Sequence, residues 1–230
     1  MLKKAIILGA SGLIGNNLLT QLLNSTYYSE VLVIVRKTLN IEHPKLKELI
    51  VDFNHIGQYS AEIVGDIVFC CLGTTNSKTP DKAQYRKIDY QYPLDIGAIA
   101  QNNGATAYHL VSAMGADVNS SIFYSKTKGE VERDLKAIPF KSIYIYRPSL
   151  LDGNREEKRV AEKIMIGLMR FLNPLLIGSL KKYRSIRIET VATAMLKESL
   201  TDKKGIFIYP SDQIEALGQP LKKVPFTKGP

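Results

Sequence analysis

Apolar and polar positions follow one another in a repeating order along this chain: a short apolar run, a polar turn, then an amphipathic stretch. The apolar runs are typical of strands buried in a parallel sheet and cover residues 5–8, 31–35, 49–53, 66–72, 106–111, 140–146 and 205–209. Apolar residues three and four apart predict helices over 13–23, 93–103, 121–137, 159–172, 189–200 and 211–217. Alternating strands and helices predict an α/β fold with a doubly wound parallel sheet and helices on both faces.

The length of 230 residues suits one domain with a full hydrophobic core. We expect this domain to span 1–218, with substrate-side elements mainly at 148–187 and 205–218. Residues 219–230 contain three prolines and three lysines but no acidic residue, so they predict an extended or disordered tail.

Three glycines, Gly9-x-x-Gly12-x-x-Gly15, separate the first apolar run from the first helix. A strand, a glycine turn and a helix in this order are what a dinucleotide-binding unit requires. Gly9 permits the sharp turn, Gly12 lets a pyrophosphate approach the backbone, and Gly15 lets helix and strand pack closely. The helix N-terminus adds free N–H groups and a partial positive charge. We expect cofactor contacts from Gly9, Ser11, Gly12, Leu13, Ile14 and Gly15.

The second predicted strand ends in Arg36-Lys37, with no acidic residue at this point. An acidic residue there would bind the ribose 2′-hydroxyl of NAD, whereas a basic residue suits the 2′-phosphate of NADP. Arg36 can contact phosphate through two charge-assisted hydrogen bonds, and Lys37 adds a second charge. We therefore expect NADP in preference to NAD, the alternative being two solvated charges at a strand end.

Two further strand ends contribute candidate cofactor contacts. Asp52 ends the third predicted strand and either reaches the adenine region or caps the following helix. Leu72, Gly73 and Thr74 end the fourth, where a glycine again allows a ligand to approach the backbone.

Ser112, Tyr124 and Lys128 form a candidate catalytic set. Tyr124 and Lys128 are four residues apart on a predicted helix, so the phenol and the ammonium share one face. This is the only Tyr-x-x-x-Lys in the chain, and its helix follows the fifth predicted strand, whose carboxyl end carries Ser112. The alternative is a half-buried tyrosine, a solvated lysine and an ordinary strand-end serine.

Together these motifs resemble the short-chain dehydrogenase/reductase superfamily, whose members have a Rossmann fold. Arg147-Pro148 after the sixth strand is similar to its extended and atypical branches. Cys70-Leu-Gly-Thr-Thr, Val111-Ser-Ala-Met-Gly-Ala and Tyr124-x-x-x-Lys-Gly-Glu-Val-Glu look like the Tat-interacting-protein family of atypical reductases. The likeness extends from Lys3 to about Leu217.

The resemblance implies an NADP-binding oxidoreductase that transfers hydride between NADPH and a carbonyl or alcohol. It implies that Tyr124 is the general acid or base, and that Lys128 stabilises the phenolate and holds the cofactor's ribose. Ser112 would hydrogen-bond the substrate oxygen, and Arg147 and Pro148 would lie at the cofactor.

In one position the sequence departs from the extended members. They often carry an asparagine where this chain has Asp89, and a carboxylate there would change a proton relay or leave it incomplete.

The net charge of +9 is concentrated between Arg155 and Arg187, where nine Lys or Arg stand against three Glu. This charge predicts either a solvated basic face or an anionic partner such as an acidic small-molecule substrate. Within it, apolar residues 175–180 are followed by basic residues 181–187, which predicts a lid, a homodimer face or a membrane-surface patch, the alternative being an ordinary core helix. No nucleic-acid motif accompanies it, and no apolar run in the sequence is long enough to span a membrane, so we expect no nucleic-acid partner and no membrane span.

Only two cysteines occur, Cys70 and Cys71, adjacent within an apolar run. Neither a disulfide framework nor a metal site follows from this pattern, which indicates a reducing compartment and, with no signal peptide visible, a cytoplasmic protein.

Two other functions are consistent with the sequence. The first is a regulatory module that senses NADP and binds a protein partner without turnover. The second is an NAD-dependent epimerase or dehydratase, against which stand Arg36 and a short C-terminal half with little room for a sugar-nucleotide domain.

Overall fold

A computed structural model describes residues 2–152, 181 and 183–219 of the chain. Its centre is a seven-stranded sheet in which every pairing between described strands is parallel. The strands in chain order are β1 (Lys3–Leu8), β2 (Tyr28–Val35), β3 (Leu46–Ile50), β4 (Ile67–Cys70), β5 (Ala107–Val111), β6 (Ser142–Arg147), β7 (Leu151–Asp152), β8 (Ile186–Arg187) and β9 (Gly205–Pro210). β7 and β8 form a separate two-stranded sheet.

The spatial order of the large sheet is β3-β2-β1-β4-β5-β6-β9. The chain runs outward from β1 in one direction through β2 and β3, and in the other direction from β4 onward. The topological switch therefore lies between β1 and β4, which pair directly with Ile6 opposite Val68. Ligands of such sheets bind at the carboxyl ends of the strands at this switch.

Helices cover both faces of the sheet, as the sequence pattern predicts. They are α1 (Leu13–Asn24), α2 (Lys82–Arg86), α3 (Tyr92–Asn102), α4 (Phe123–Leu135), α5 (Ile188–Ser199) and α6 (Ser211–Gly218). On one face Leu18 and Leu22 of α1 belong to the same buried cluster as Met195 of α5. On the other face Ile96 of α3 packs in a cluster with Val131 of α4. The central strands are apolar on both sides because both faces are covered.

Three elements differ from the sequence prediction. The third strand ends at Ile50, because Asp52 caps a 3₁₀ helix (Phe53–Tyr59) through a 2.9 Å hydrogen bond from the Asn54 N–H. The polar stretch before α3 is also helical, with α2 leading into a π-helical turn (Lys87–Gln91). The last strand, β9, belongs to the large sheet beside β6, so this part of the predicted substrate side builds the core sheet instead.

The expectations for residues 153–180 and 220–230 lie outside the described residues. They include the predicted helix over 159–172, most of the basic segment and the tail. Among the residues that are described, no helix combines the length and the apolar character needed to cross a bilayer.

Candidate active site

A cleft of about 1690 Å³ opens at the switch between β1 and β4. The glycine turn with the start of α1 lines it, as does the neighbouring segment that follows β4. The start of α4 and the ends of β5 and β6 complete it. Predicted site residues that line the cleft are Ser11, Gly12, Leu13, Ile14, Leu72, Gly73, Thr74, Ser112, Tyr124, Lys128 and Pro148. The parallel sheet thus brings together motifs that lie more than 100 residues apart in the sequence.

The glycine turn has no room for side chains at two of its positions. Gly9 has a φ of +79°, and a Cβ there would lie 2.6 Å from the carbonyl oxygen of Cys71. A Cβ on Gly15 would lie 2.1 Å from the carbonyl oxygen of Gly9. The Gly12 N–H donates to that same carbonyl at 3.0 Å, which closes the turn.

The start of α1 fits the pyrophosphate of a dinucleotide. Its N-cap is Gly12, which offers no side-chain hydrogen bond, and no acidic residue lies in the first turn. The N-terminal N–H groups of the helix therefore face the cleft without a competing carboxylate, and helix ends of this kind bind phosphate.

A buried ion pair lies at the base of the cleft. Lys128 Nζ is 2.8 Å from Asp89 Oδ1, and the two side chains are 6% and 0% exposed. The other carboxylate oxygen, Oδ2, accepts the backbone N–H of Thr74 at 2.8 Å. Burial lowers the pKa of Lys128, but the Asp89 carboxylate outweighs this effect and leaves the pKa raised. Lys128 is therefore positively charged and fixed in position.

Tyr124 lies at the mouth of the cleft and is 41% exposed. Burial of its hydroxyl raises the pKa of the phenol, the Lys128 ammonium lowers it, and the Asp89 carboxylate raises it again. The net result is a raised pKa, so Tyr124 is a neutral phenol near pH 7 and can donate a proton.

Ser112 is placed differently from its expected role. Its Oγ lies at the cleft but donates its hydrogen to the buried carboxylate of Glu132 at 2.5 Å. Arg147, at the end of β6, binds the same carboxylate through Nε (2.9 Å) and Nη2 (2.6 Å). The Ser112 hydrogen is thus not offered to a substrate oxygen, and Arg147 pairs with Glu132 while its neighbour Pro148 lines the cleft.

Arg36, Lys37 and Asp52 are exposed and lie outside the cleft walls. Arg36 and Lys37 follow directly after β2, beside the glycine turn that follows β1. Asp52 adopts the capping arrangement, and its second oxygen lies 2.9 Å from the ring of His55.

Glu132 was not selected from the sequence, although a signal was present. It lies four residues after Lys128, so it shares the inward face of α4, where an ionisable side chain needs a partner. Tyr85 of α2 was also missed: it lines the cleft and donates to the Thr74 carbonyl at 3.2 Å.

The comparison with curated proteins places the chain in a family. Protein HTATIP2 of Rattus norvegicus is 32% identical over 207 residues, which cover 88% of this chain and 84% of the relative. Protein fmp52, mitochondrial, of Aspergillus niger is 30% identical over 168 residues, or 70% and 72% of the two chains. The chain belongs to the HTATIP2 family of atypical short-chain dehydrogenase/reductases. No family model matches the sequence.

Solved structures confirm the Rossmann-type fold of this HTATIP2 relative. A UDP-N-acetylglucosamine 4-epimerase from Methanobrevibacter ruminantium aligns with a TM-score of 0.67 at 14% identity, covering 91% of this chain and 76% of the epimerase. The enzyme WbmG from Bordetella bronchiseptica aligns with a TM-score of 0.66 at 14% identity, covering 95% and 76%. At such identities the likeness shows the fold alone.

The expectation of a cytoplasmic protein is contradicted by the fungal relatives, which are named as mitochondrial proteins. The expectation was based on the cysteines, which are both free in the structure. Free cysteines report on redox conditions and do not assign an organelle.

Proposed function

We propose that this protein is an NADP-dependent oxidoreductase that transfers hydride between NADPH and a carbonyl or alcohol substrate. One observation carries the proposal: a single cleft joins the glycine turn and the start of α1 to Tyr124 and Lys128. A phosphate-binding helix end and a proton-donating phenol are the two parts that such a reaction needs from the protein. The solved neighbour WbmG, which shares the fold, is in complex with NAD.

In the proposed complex the residues of the glycine turn and the N-terminus of α1 hold the pyrophosphate. Arg36 binds the 2′-phosphate, with Lys37 as a second charge, because both follow β2 next to this turn. Asp52 lies at the adenine end. Leu72, Gly73 and Thr74 line the cleft beside the turn and contact the cofactor there.

The protein's own part in the chemistry is proton transfer and positioning. The nicotinamide, when bound, supplies or accepts the hydride. Tyr124 donates a proton to the carbonyl oxygen in reduction and takes it back in oxidation. Lys128 holds the ribose, since its side chain lines the cleft and Asp89 keeps its ammonium in place. We assign Ser112 to positioning Glu132 instead of binding substrate.

The substrate class we propose is anionic. Lys78 and Lys82 line the cleft, and the acidic residue among its lining side chains is Asp89, which is buried against Lys128. Cationic side chains of this kind attract a carboxylate or phosphate, which supports the proposal. A carbonyl acid should show a lower KM than its neutral amide, and equal KM values for the two would contradict the assignment.

The test begins with calorimetric titration of the whole chain with NADPH and with NADH. We expect tight NADPH binding and weak NADH binding, followed by NADPH oxidation when a panel of carbonyl acids is added. Tyr124→Phe should retain NADPH affinity and lose turnover by about 10²-fold or more. Tyr27→Phe, at a tyrosine that is 60% exposed and outside the cleft, is the matched control. Full activity of Tyr124→Phe would remove Tyr124 from the mechanism.

A second candidate function, a nucleotide-sensing regulator without turnover, is favoured by one observation. The Ser112 hydrogen is given to Glu132, so the described cleft offers a carbonyl substrate the Tyr124 phenol without a serine donor beside it. Tight NADPH binding without oxidation across the substrate panel would support this second function over the first.

A further inference from the structure

Two opposite charges are buried together beside Tyr124. Asp89 is the acidic side chain of the cleft lining, and it is held directly against Lys128 at 2.8 Å. A Cβ on Gly73 would stand 3.6 Å from Asp89 Oδ1 and 3.8 Å from Lys128 Nζ. Gly73 has no side chain, so it does not cover the ion pair, and both Asp89 and Lys128 line the cleft.

The carboxylate of Asp89 is rigidly placed. It projects inward from the π-helical turn at Lys87–Gln91, and turns of this kind are often found at functional sites. The Thr74 N–H fixes Oδ2. Oδ1 lies 2.8 Å from the Lys128 ammonium. One oxygen therefore anchors the carboxylate to the backbone, and the other lies against the charge of Lys128.

The effect of this pair on Tyr124 follows from charge alone. An isolated ammonium next to a phenol stabilises the phenolate, and a carboxylate at the same place opposes it. With both present, the nearby net charge is close to zero and burial of the phenol dominates. The other ionisable groups that line the cleft are Tyr85 and Lys82 on α2, Lys78 before α2, and Cys71 after β4. Cys70 at the end of β4 lies near Lys128, and the Glu132–Arg147 pair joins α4 to β6. Lys126, Glu130, Arg133 and Asp134 of α4 and Arg86 of α2 are not among the residues that line the cleft.

We propose that Asp89 is a positioning residue: it neutralises the buried Lys128, keeps Tyr124 protonated, and thereby sets the site to reduce carbonyls at neutral pH. The inference rests on the proposed function and assigns the protonation state from which the site starts at neutral pH. In the reductive direction the phenol O–H bond breaks as hydride reaches the carbonyl carbon, and the proton goes to the carbonyl oxygen. The phenolate left behind regains a proton from water. Alcohol oxidation needs the phenolate at the outset, so it requires higher pH.

The test measures the titration of Tyr124 in the cofactor-free protein. Ultraviolet difference titration of the wild type against Tyr124→Phe isolates this phenol from the other tyrosines. The same subtraction is made between Asp89→Asn and Asp89→Asn/Tyr124→Phe. We expect Asp89→Asn to lower the apparent pKa of Tyr124 by about one unit or more, since it leaves Lys128 uncompensated. Asp134→Asn, the same substitution on α4 at an exposed ion pair with Arg133, should leave it unchanged.

A double-mutant comparison keeps the inference testable if Asp89→Asn is poorly folded. Lys128→Met should raise the apparent pKa of Tyr124, and Asp89→Asn/Lys128→Met should return it to near the wild-type value. An unchanged Tyr124 titration in Asp89→Asn, or in Lys128→Met, overturns the inference. This readout needs neither cofactor nor substrate, so it is separate from the outcome of the proposed function. In an active enzyme, Asp89→Asn should also shift the pH profile of alcohol oxidation to lower pH.

Discussion

The guanidinium of Arg147 and the carboxylate of Glu132 form a two-point ion pair that ties the end of β6 to α4 beneath the cleft. Glu132 is 1% exposed and also accepts the hydrogen of Ser112, at the end of β5. One carboxylate thus joins two strand ends to the helix that carries Tyr124 and Lys128. The position of both candidate catalytic side chains depends on it.

Replacement of Glu132 should therefore destabilise the fold. Glu132→Gln leaves Arg147 without its charge partner and should lower the free energy of unfolding by about 2–4 kcal/mol in urea denaturation. Glu189→Gln is the control, because its ion pair with Arg187 is exposed on both sides (51% and 73%) and such a pair contributes at most about 1 kcal/mol. If both variants lose the same free energy of unfolding, the buried ion pair does not stabilise the fold more than the exposed one.

Removal of the Ser112 hydroxyl distinguishes positioning from substrate binding. Since Ser112 donates to Glu132, Ser112→Ala should reduce turnover less than about 10-fold, whereas Tyr124→Phe should reduce it about 10²-fold or more. Steady-state kinetics of NADPH oxidation gives both values. If Ser112→Ala proves as damaging as Tyr124→Phe with unchanged stability, the hydroxyl turns to the substrate during catalysis.

The glycine turn should show a position-dependent cost of an added methyl group. Gly15→Ala places a Cβ against the Gly9 carbonyl and should cost about 1–3 kcal/mol, seen as a lower Tm. Gly12→Ala, with its nearest atom at 3.2 Å, should fold and mainly weaken NADPH binding. Gly57→Ala meets no atom within 4 Å and serves as the control. A Gly15→Ala variant as stable as Gly57→Ala would contradict the close packing of α1.

His109 should make the protein acid-sensitive. Its ring is fully buried, stacked on Tyr144 with centroids 4.3 Å apart, and burial lowers its pKa to about 3. The unfolded state binds a proton near pH 6.5 and the folded state does not. Stability is therefore complete above pH 6.5 and falls by about 1.4 kcal/mol per pH unit between 6.5 and 3.

Urea denaturation at a series of pH values measures this loss. His109→Phe keeps an aromatic ring in the stack and should flatten the acid limb of the curve. His55→Phe, at an exposed histidine, should leave that limb as in the wild type. Parallel curves for the wild type and His109→Phe would show that other groups govern the acid sensitivity.

Arg36 should decide between the two nicotinamide cofactors. Loss of its charge-assisted contacts in Arg36→Ala should weaken NADPH binding about 10- to 100-fold and hardly affect NADH. Calorimetry with both cofactors measures the difference, and Lys136→Ala, at an exposed lysine on α4's end, controls for net charge. Equal losses for NADPH and NADH would remove Arg36 from the 2′-phosphate site.

The sequence by itself determined the fold class and predicted many of the residues that line the cleft. Central strands of a parallel sheet are apolar on both faces, so β1, β4 and β5 stand out as continuous runs. The glycine turn and Tyr124-x-x-x-Lys128 are local patterns whose spacing carries their geometry. The same local logic predicted α4 and α5 within about two residues at each end.

Only the tertiary structure decided how the charged side chains pair. Asp89 meets Lys128 from 39 positions away, and Arg147 meets Glu132 from the end of the next strand. Nothing in the local pattern specifies these partners, because they are set by how α4 lies against the strand ends. The pairing changes the chemistry: Ser112 is bound to Glu132, and the charge of Lys128 is neutralised by Asp89. The sequence identifies candidate ionisable groups of a site. Their protonation states, and whether they are free to hydrogen-bond a ligand, depend on neighbours that only folding brings within a few ångströms.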